Sequence, residues 1–253
     1  MLSSCDYMTR RSQSKANTID SISVFLSDTT VSYYSSFEEP NCKLHFDFDI
    51  PVKASSKNTL KAAELMIISL TNDKDVKKTS SIENMIKLYT RSYILNYLKE
   101  GNSTTTIQEE ENEENLDWMN YEEKCVGKVL YNNNNIFSYS VRTSSFAGGA
   151  HETTTNNGAS LDLRTNEIYT LDYLFGKENI DSLKVLIVDK LNENNQLLTD
   201  DVDVIHNFYL SEDGITFVYG PLDIASYSDG EITVTLEWES VKPFLVHNPL
   251  QEN

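Results

Sequence analysis

The sequence predicts an α+β fold: mixed, mainly antiparallel sheets with packed helices, arranged as two tightly associated subdomains. Three observations carry this expectation. Two stretches of helical period, 58–70 and 81–101, lie close together in the first half. The second half is dominated by short alternating strands with turn signals between them. Connections are local, and no internal repeat or nucleotide signature interrupts the order. With 253 residues, 39% hydrophobic and 10% aromatic, the chain has ample material for a buried core.

Residues 1–19 read as a lipobox-like start and flexible tether. Leu2-Ser3-Ser4-Cys5 looks like a bacterial lipobox, with Cys5 the lipidated residue and its signal regions upstream of Met1. The polar, small-residue stretch that follows suits a tether. The N-terminal α+β domain is expected over 20–125. In "CKLHFDFDIPV", Cys42, Leu44, Phe46, Phe48 and Ile50 alternate with Lys43, His45, Asp47 and Asp49, a half-buried strand limited by Pro51. "TTVSYYSSF" is its expected partner. The first helix is expected to be capped by Asn58 or Thr59, with a stripe of Leu60, Ala63, Ile67 and Leu70. The second opens at Ser81, carries Ile82, Met85, Ile86, Tyr89, Tyr93 and Tyr97 on one stripe, and stops at Gly101. Residues 102–124, with "EEENEEN", read as a solvated linker.

The C-terminal domain is expected over 126–253. "VGKVLYNNNNIFSYSVRTSSF" reads as a hairpin turned by asparagines, and "GASLDLRTNEIYTL" as a second hairpin turning at Arg164–Glu167. A helix follows, packed through Leu183, Leu186, Ile187 and Leu191. A third hairpin turns at Asp213-Gly214, and "EITVTLEW" closes the sheet by strict alternation.

The formal charge of −18 excludes nucleic acid as a natural partner, since no basic cluster exceeds Arg10-Arg11 or Lys77-Lys78. It favours cationic partners at low salt. No run of about 18 apolar residues is present, so membrane attachment is expected through the lipid anchor only. Cys42 and Cys125 are candidates for a disulfide in an oxidising compartment. No CxxC, GxSxG, P-loop or GxGxxG occurs, and no cofactor or metal is expected. His45, Asp47 and Asp49 share one strand face, but a flat strand splays such side chains. The carboxylates are too numerous for a glycosidase pair to be singled out, which leaves an envelope glycan-acting enzyme as the alternative function.

"SSFAGGAH" directly follows a strand. Gly148 and Gly149 supply a turn that needs positive φ or a close backbone approach. His151 is expected to fix that bend through a buried hydrogen bond, a structural role in place of a catalytic one. Phe146, His151, Tyr219, Pro221 and Tyr227 are the candidate binding residues, as rigid anchors in this turn and in the loop ending at Gly230.

Three pieces carry a family resemblance: the Gly148-Gly149-Ala150-His151 turn, the "LDLRTNEIYTLDYLF" run, and the loop Tyr219-x-Pro221…Ile224-Ala225-x-Tyr227-x-x-Gly230. Across 126–245 the chain resembles the C-terminal domain shared by RsiV-like lysozyme-sensing anti-sigma factors and PdaC-like peptidoglycan deacetylases. Residues 29–99 are more loosely similar to the companion N-terminal domain. The loop departs from the family at Leu222 and Ser226, where an aromatic and a proline are common. No deacetylase or sigma-binding part has a counterpart in these 253 residues. The resemblance implies a non-catalytic lipoprotein of the bacterial cell envelope, facing the periplasm or exterior. Its implied partner is a cationic protein such as lysozyme, or peptidoglycan fragments.

Overall fold

The computed structural model describes residues 21–34, 41–73, 76–105, 120–148, 151–194, 196 and 202–250. Cys5 and Gly149 lie outside them. Six strands form the larger sheet: β1 Ser23–Tyr34, β2 Asn41–Lys53, β3 Tyr121–Asn133, β4 Ile136–Ala147, β5 Thr153–Asp162 and β6 Glu167–Ile168, in that spatial order. Neighbours are antiparallel except β2 and β3, which run parallel. A parallel pair needs a crossover, supplied here by helices α1 (Lys57–Leu70) and α2 (Ile82–Thr105). Both pack on one face of the sheet. Leu44, Phe46 and Phe48 of β2 meet Ala63, Met66, Ile67, Met85 and Ile86 in the first core, as the period-2 and helical stripes require.

Details of these elements differ from expectation. Ser56, not Asn58 or Thr59, caps α1, accepting from the Thr59 backbone N–H at 3.1 Å. Ser56 holds the extended backbone a cap needs, whereas Thr59 is already buried in the first turn. Gly101 does not stop α2, which continues to Thr105; a helical glycine costs only about 1 kcal/mol relative to alanine. The expected linker ends earlier, because Tyr121–Lys124 already belong to β3. The expected border at 125/126 therefore falls inside a strand of a continuous sheet. Glu123 and Cys125 alternate toward the helices, a pattern that the neighbouring acids disguise. Gly127 is required on that face, since a Cβ there would meet the Tyr139 hydroxyl and, at 2.5 Å, the Phe48 ring.

No disulfide joins Cys42 and Cys125. The register sets Cys42 opposite Tyr121 and Cys125 opposite Phe46, four positions further along. At about 3.3 Å per residue, the thiols are separated by roughly 13 Å along the strands, beyond the reach of a bridge. The expected pairing is thus corrected by register.

Asn134 and Asn135, at φ 52° and 59°, form the β3–β4 turn in the left-handed conformation favoured for two-residue hairpins. "EITVTLEW" closes a second sheet, not the first. β7 (Phe208–Leu210), β8 (Gly214–Tyr219) and β9 (Ile232–Glu237) form it, all antiparallel. With α3 (Leu171–Phe175), α4 (Ile180–Glu193) and α5 (Trp238–Val241) they build the second core, where Leu183, Ile187 and Leu191 are fully enclosed.

Buried polar bonds join the two sheets. Ser138 donates to the Leu210 carbonyl at 2.6 Å, and the Leu210 N–H donates to Ser160 Oγ at 2.8 Å. Asn207 accepts from the Gly158 N–H at 2.8 Å and donates to the carbonyls of Asn156 (2.8 Å) and Val218 (3.2 Å). Its carboxamide thus replaces a missing strand neighbour on the outer edge of β5. Among the described residues, no helix is long and apolar enough to cross a membrane.

Candidate functional site

The β4–β5 turn and the loop after β8 meet at one end of the larger sheet. Gly148, at φ 75°, bends the chain away from β4 as its sequence position suggests. His151 follows, exposed, so the expected buried hydrogen bond is corrected: the bend lies on the rim, where water reaches the imidazole. The β8 loop is held at both ends. The Gly220 N–H donates to Asp223 Oδ2 at 2.7 Å, and Asp223 N–H returns to the Gly220 carbonyl at 3.2 Å. Ile224 is buried beneath it. Ser226 and Asp229 then form a reciprocal cap around a single 3₁₀ turn, Tyr227–Asp229, which ends at Gly230 with φ 69°.

Tyr227 ties the two segments together. Its hydroxyl donates to the Glu152 carbonyl at 2.8 Å, across 75 positions of sequence, and its ring lies 6.0 Å from that of His151. Next to it, Glu231 accepts from Arg142 at 3.1 Å and from the Asn156 carboxamide at 3.0 Å. The C-terminal arm of the loop is therefore fastened to the β4–β5 turn and to both strands, through Tyr227 and Glu231. Tyr227 remains 45% exposed and Leu222 69% exposed. Leu222 adopts φ 72°, a left-handed conformation unusual for a branched apolar side chain and held by the Gly220–Asp223 bonds around it.

The expected binding residues divide. Tyr227 and His151 come together at the surface. Pro221 is half-buried beside Leu222, and Phe146 is half-buried on the β4 face that also carries Arg142. Tyr219 is not an anchor: it is 1% exposed, donates to the Asp203 carbonyl at 3.2 Å, and burial pushes its phenol up. It ends a strand whose six residues are all buried. Arg142, Asn156 and Glu231, which hold the loop, were not predicted. Asn156 and Asn157 sit adjacent in mid-strand, where asparagine is disfavoured, and that was the available signal.

Other polar groups are committed elsewhere. Asp47 and Asp49 share Lys128 at 2.7 and 3.5 Å, and Asp49 also accepts from the Val129 N–H. Glu123 is buried against the Cys125 thiol, and burial raises its carboxyl above the usual range, against hydrogen bonds with Tyr89 and Ser145. Among the described residues, no three His, Cys, Asp or Glu side chains are grouped to hold a metal ion.

Residues 54–154 match the family model described as deacetylase PdaC, and residues 172–239 match a protein family of unknown function, DUF3298. The chain thus carries a segment similar to PdaC followed by one similar to DUF3298. The first match contains the Phe146–Glu152 turn and the second contains the Tyr219–Gly230 loop, so the Tyr227–Glu152 bond links the two. The chain is similar in structure to a DUF3298 family member from Bacteroides fragilis, at TM-score 0.77 and 21% identity, covering 91% of this chain and 96% of that one. It is also similar to a DUF3298 family protein from Pseudomonas aeruginosa, at TM-score 0.65 and 12% identity, covering 93% and 100%. At these identities the likeness concerns the fold. No curated protein matches the chain. The paired PdaC-like and DUF3298 domains mark an envelope-associated protein.

Proposed function

We propose that the protein is a non-catalytic binding module of the cell envelope, anchored by lipid at Cys5, and that its ligand surface is the Tyr227–His151 patch. The favoured ligand is a cationic protein of the lysozyme type, ahead of a peptidoglycan fragment. The observation that supports this reading is the convergence of two sequence-distant segments into one fixed, exposed aromatic surface. Aromatic side chains with few rotatable bonds lose little entropy on binding, and a loop already bonded in place loses less still. The charge of −18 steers a basic partner toward the molecule, but physiological salt shortens that field to about 8 Å. Selectivity therefore has to come from shaped contact.

The test is lysozyme affinity across a salt series, with cytochrome c as a basic control. Binding of lysozyme alone that persists at physiological salt, and weakens at least about tenfold in Tyr227→Ala, supports the reading. Equal, salt-labile binding of both proteins overturns it. The anchor is tested separately: protein expressed with its upstream signal should partition into detergent, and Cys5→Ala should remain in the aqueous phase. An aqueous wild type removes the anchor.

A further inference from the structure

A cleft lies away from the Tyr227 patch, between the C-terminal end of α1 and the outer edge of β5. Its volume is about 230 Å³. Ser69, Leu70 and Asn72 form one wall, Asn157 the floor on β5, and His206 and Asn207 the other wall. Asn157 shares the sheet face of Val141, whereas Arg142 and Asn156, which hold the Tyr227 loop, belong to the opposite face. The two surfaces meet through the Asn207–Asn156 bond, and the variants tested below, at Asn72 and His206, touch the cleft and not the Tyr227 loop.

The chemistry of the walls is specific. No Lys, Arg, Asp or Glu lines the cleft. An anion would find only Lys77, engaged with Asn72 at the rim, and would approach against the net charge of −18, and a cation would find no carboxylate in the lining. The polar groups are amides, a hydroxyl and an imidazole, several with one half already committed. Asn157 donates through Nδ2 to the Leu70 carbonyl at 2.9 Å, which leaves its Oδ1 to accept. Asn72 accepts through Oδ1 from Lys77 at 3.4 Å, which leaves its Nδ2 to donate. Ser69 donates to the Met66 carbonyl at 2.7 Å, so its oxygen keeps acceptor capacity. His206 is exposed at the mouth, and Leu70 contributes an apolar surface.

One acceptor, one donor and an apolar contact match the C=O, N–H and methyl of an acetamido group. The remaining hydroxyl and imidazole match sugar hydroxyls. An extended peptide also carries amides, but it would have to pair with the β5 edge. There, the Asn207 carboxamide already occupies the Gly158 N–H and the Asn156 carbonyl, so strand addition is blocked at this point. We propose that this cleft binds a neutral N-acetylated sugar, one ring at a time, through Asn157, Asn72 and His206.

The experiment uses the full chain and three soluble probes: the trimer of N-acetylglucosamine, the glucose trimer cellotriose, and a neutral blocked alanine tripeptide. Amide chemical shifts or calorimetry should show saturable binding of the acetylated trimer in the millimolar range or tighter, about 4 kcal/mol or more. Asn72→Gly combined with His206→Ala should weaken it at least about tenfold while leaving the thermal midpoint unchanged. Both positions are exposed, and glycine suits the φ of 56° at Asn72. Absence of saturation overturns the proposal. So does equal binding of cellotriose, which lacks the acetamido group, preference for the tripeptide, or binding indifferent to the double variant.

Discussion

Asn207→Ala tests whether the two sheets are joined by the polar contacts described above. The side chain makes three hydrogen bonds, to the Gly158 N–H and to the carbonyls of Asn156 and Val218. A typical bond contributes about 1 kcal/mol net, so their loss amounts to about 3 kcal/mol. Alanine also leaves the outer edge of β5 without a partner at two backbone groups. Asn207→Asp is the informative companion: it keeps the acceptor for Gly158 but loses both donations and turns a carboxylate toward two carbonyls. It should be at least as destabilising as alanine. Urea titration is the assay, with stability taken from the midpoint and slope. A Trp118→Phe background leaves Trp238, packed against the second core and donating to the Ser211 carbonyl, as the fluorescence reporter. Circular dichroism follows both sheets. In the parent the two probes should coincide; in Asn207→Ala the transition should move by about 3 kcal/mol and the probes should separate as the cores uncouple. A loss below about 1 kcal/mol with coincident probes would refute the reasoning.

Gly127→Ala should cost about 1–3 kcal/mol, because the new Cβ would enter space held by Phe48 and Tyr139, both fully buried; an unchanged midpoint in thermal denaturation would contradict this. In a Cys5→Ser background, mass spectrometry should find two thiols and no bridge. The Cys125 thiol, pushed up to about 12 by burial, should alkylate only on unfolding; rapid native labelling would count against its enclosure. Glu123→Gln should stabilise the protein at neutral pH. Burial raises the folded pKa of Glu123, so the ionisation cost is absent below the unfolded value, grows as pH rises from the unfolded value to the folded one, and is complete above it. The advantage of glutamine should close as pH falls toward about 4, and an advantage independent of pH would exclude ionisation as its source.

Local chemistry was legible in the sequence, and long-range pairing was not. The hairpin at Asn134-Asn135 follows from residues whose backbone preferences act within four positions, and the turn expected at Asp213-Gly214 falls slightly earlier, since Gly214 already opens β8. The alternation of Leu44, Phe46 and Phe48 likewise identified the buried face of β2. The parallel pairing of β2 with β3 depends on where a two-helix crossover returns the chain, and nothing in either strand encodes that distance. Both halves of the candidate site were visible as a glycine turn and a tyrosine-proline loop. Their meeting was not, because it rests on one side-chain hydroxyl finding a carbonyl 75 residues away. Tyr219 and Tyr227 have the same chemistry and lie eight residues apart, yet one ends a buried strand and the other is on the surface. Both are expected as anchors from sequence, although the run "GITFVY", with a single polar residue, is the signal of a strand buried on both faces.

The fastening of the loop bears on how any partner would be bound. A mobile lid would be anchored at its base and open at its tip. Here the ties reach beyond the base: Glu231 is held by Arg142 and Asn156 where the loop enters β9, and Tyr227, midway along the C-terminal arm, reaches Glu152. Only the Leu222 corner projects without such ties, and it is tightened by Gly220 and Asp223. A surface held in this way gives up little conformational entropy on binding, so contacts made by Tyr227 and Leu222 would appear nearly undiminished in affinity. The same ties explain why the loop is sensitive to sites that touch no ligand. Asn156 bonds Glu231 through its side chain and Asn207 through its carbonyl, so the joint between the sheets and the loop share one residue of β5. Loosening Asn207 should therefore weaken binding at Tyr227 as well as stability, and the two effects should scale together across Asn207 variants. A variant that lost stability but kept full affinity would show that the loop holds its shape without β5.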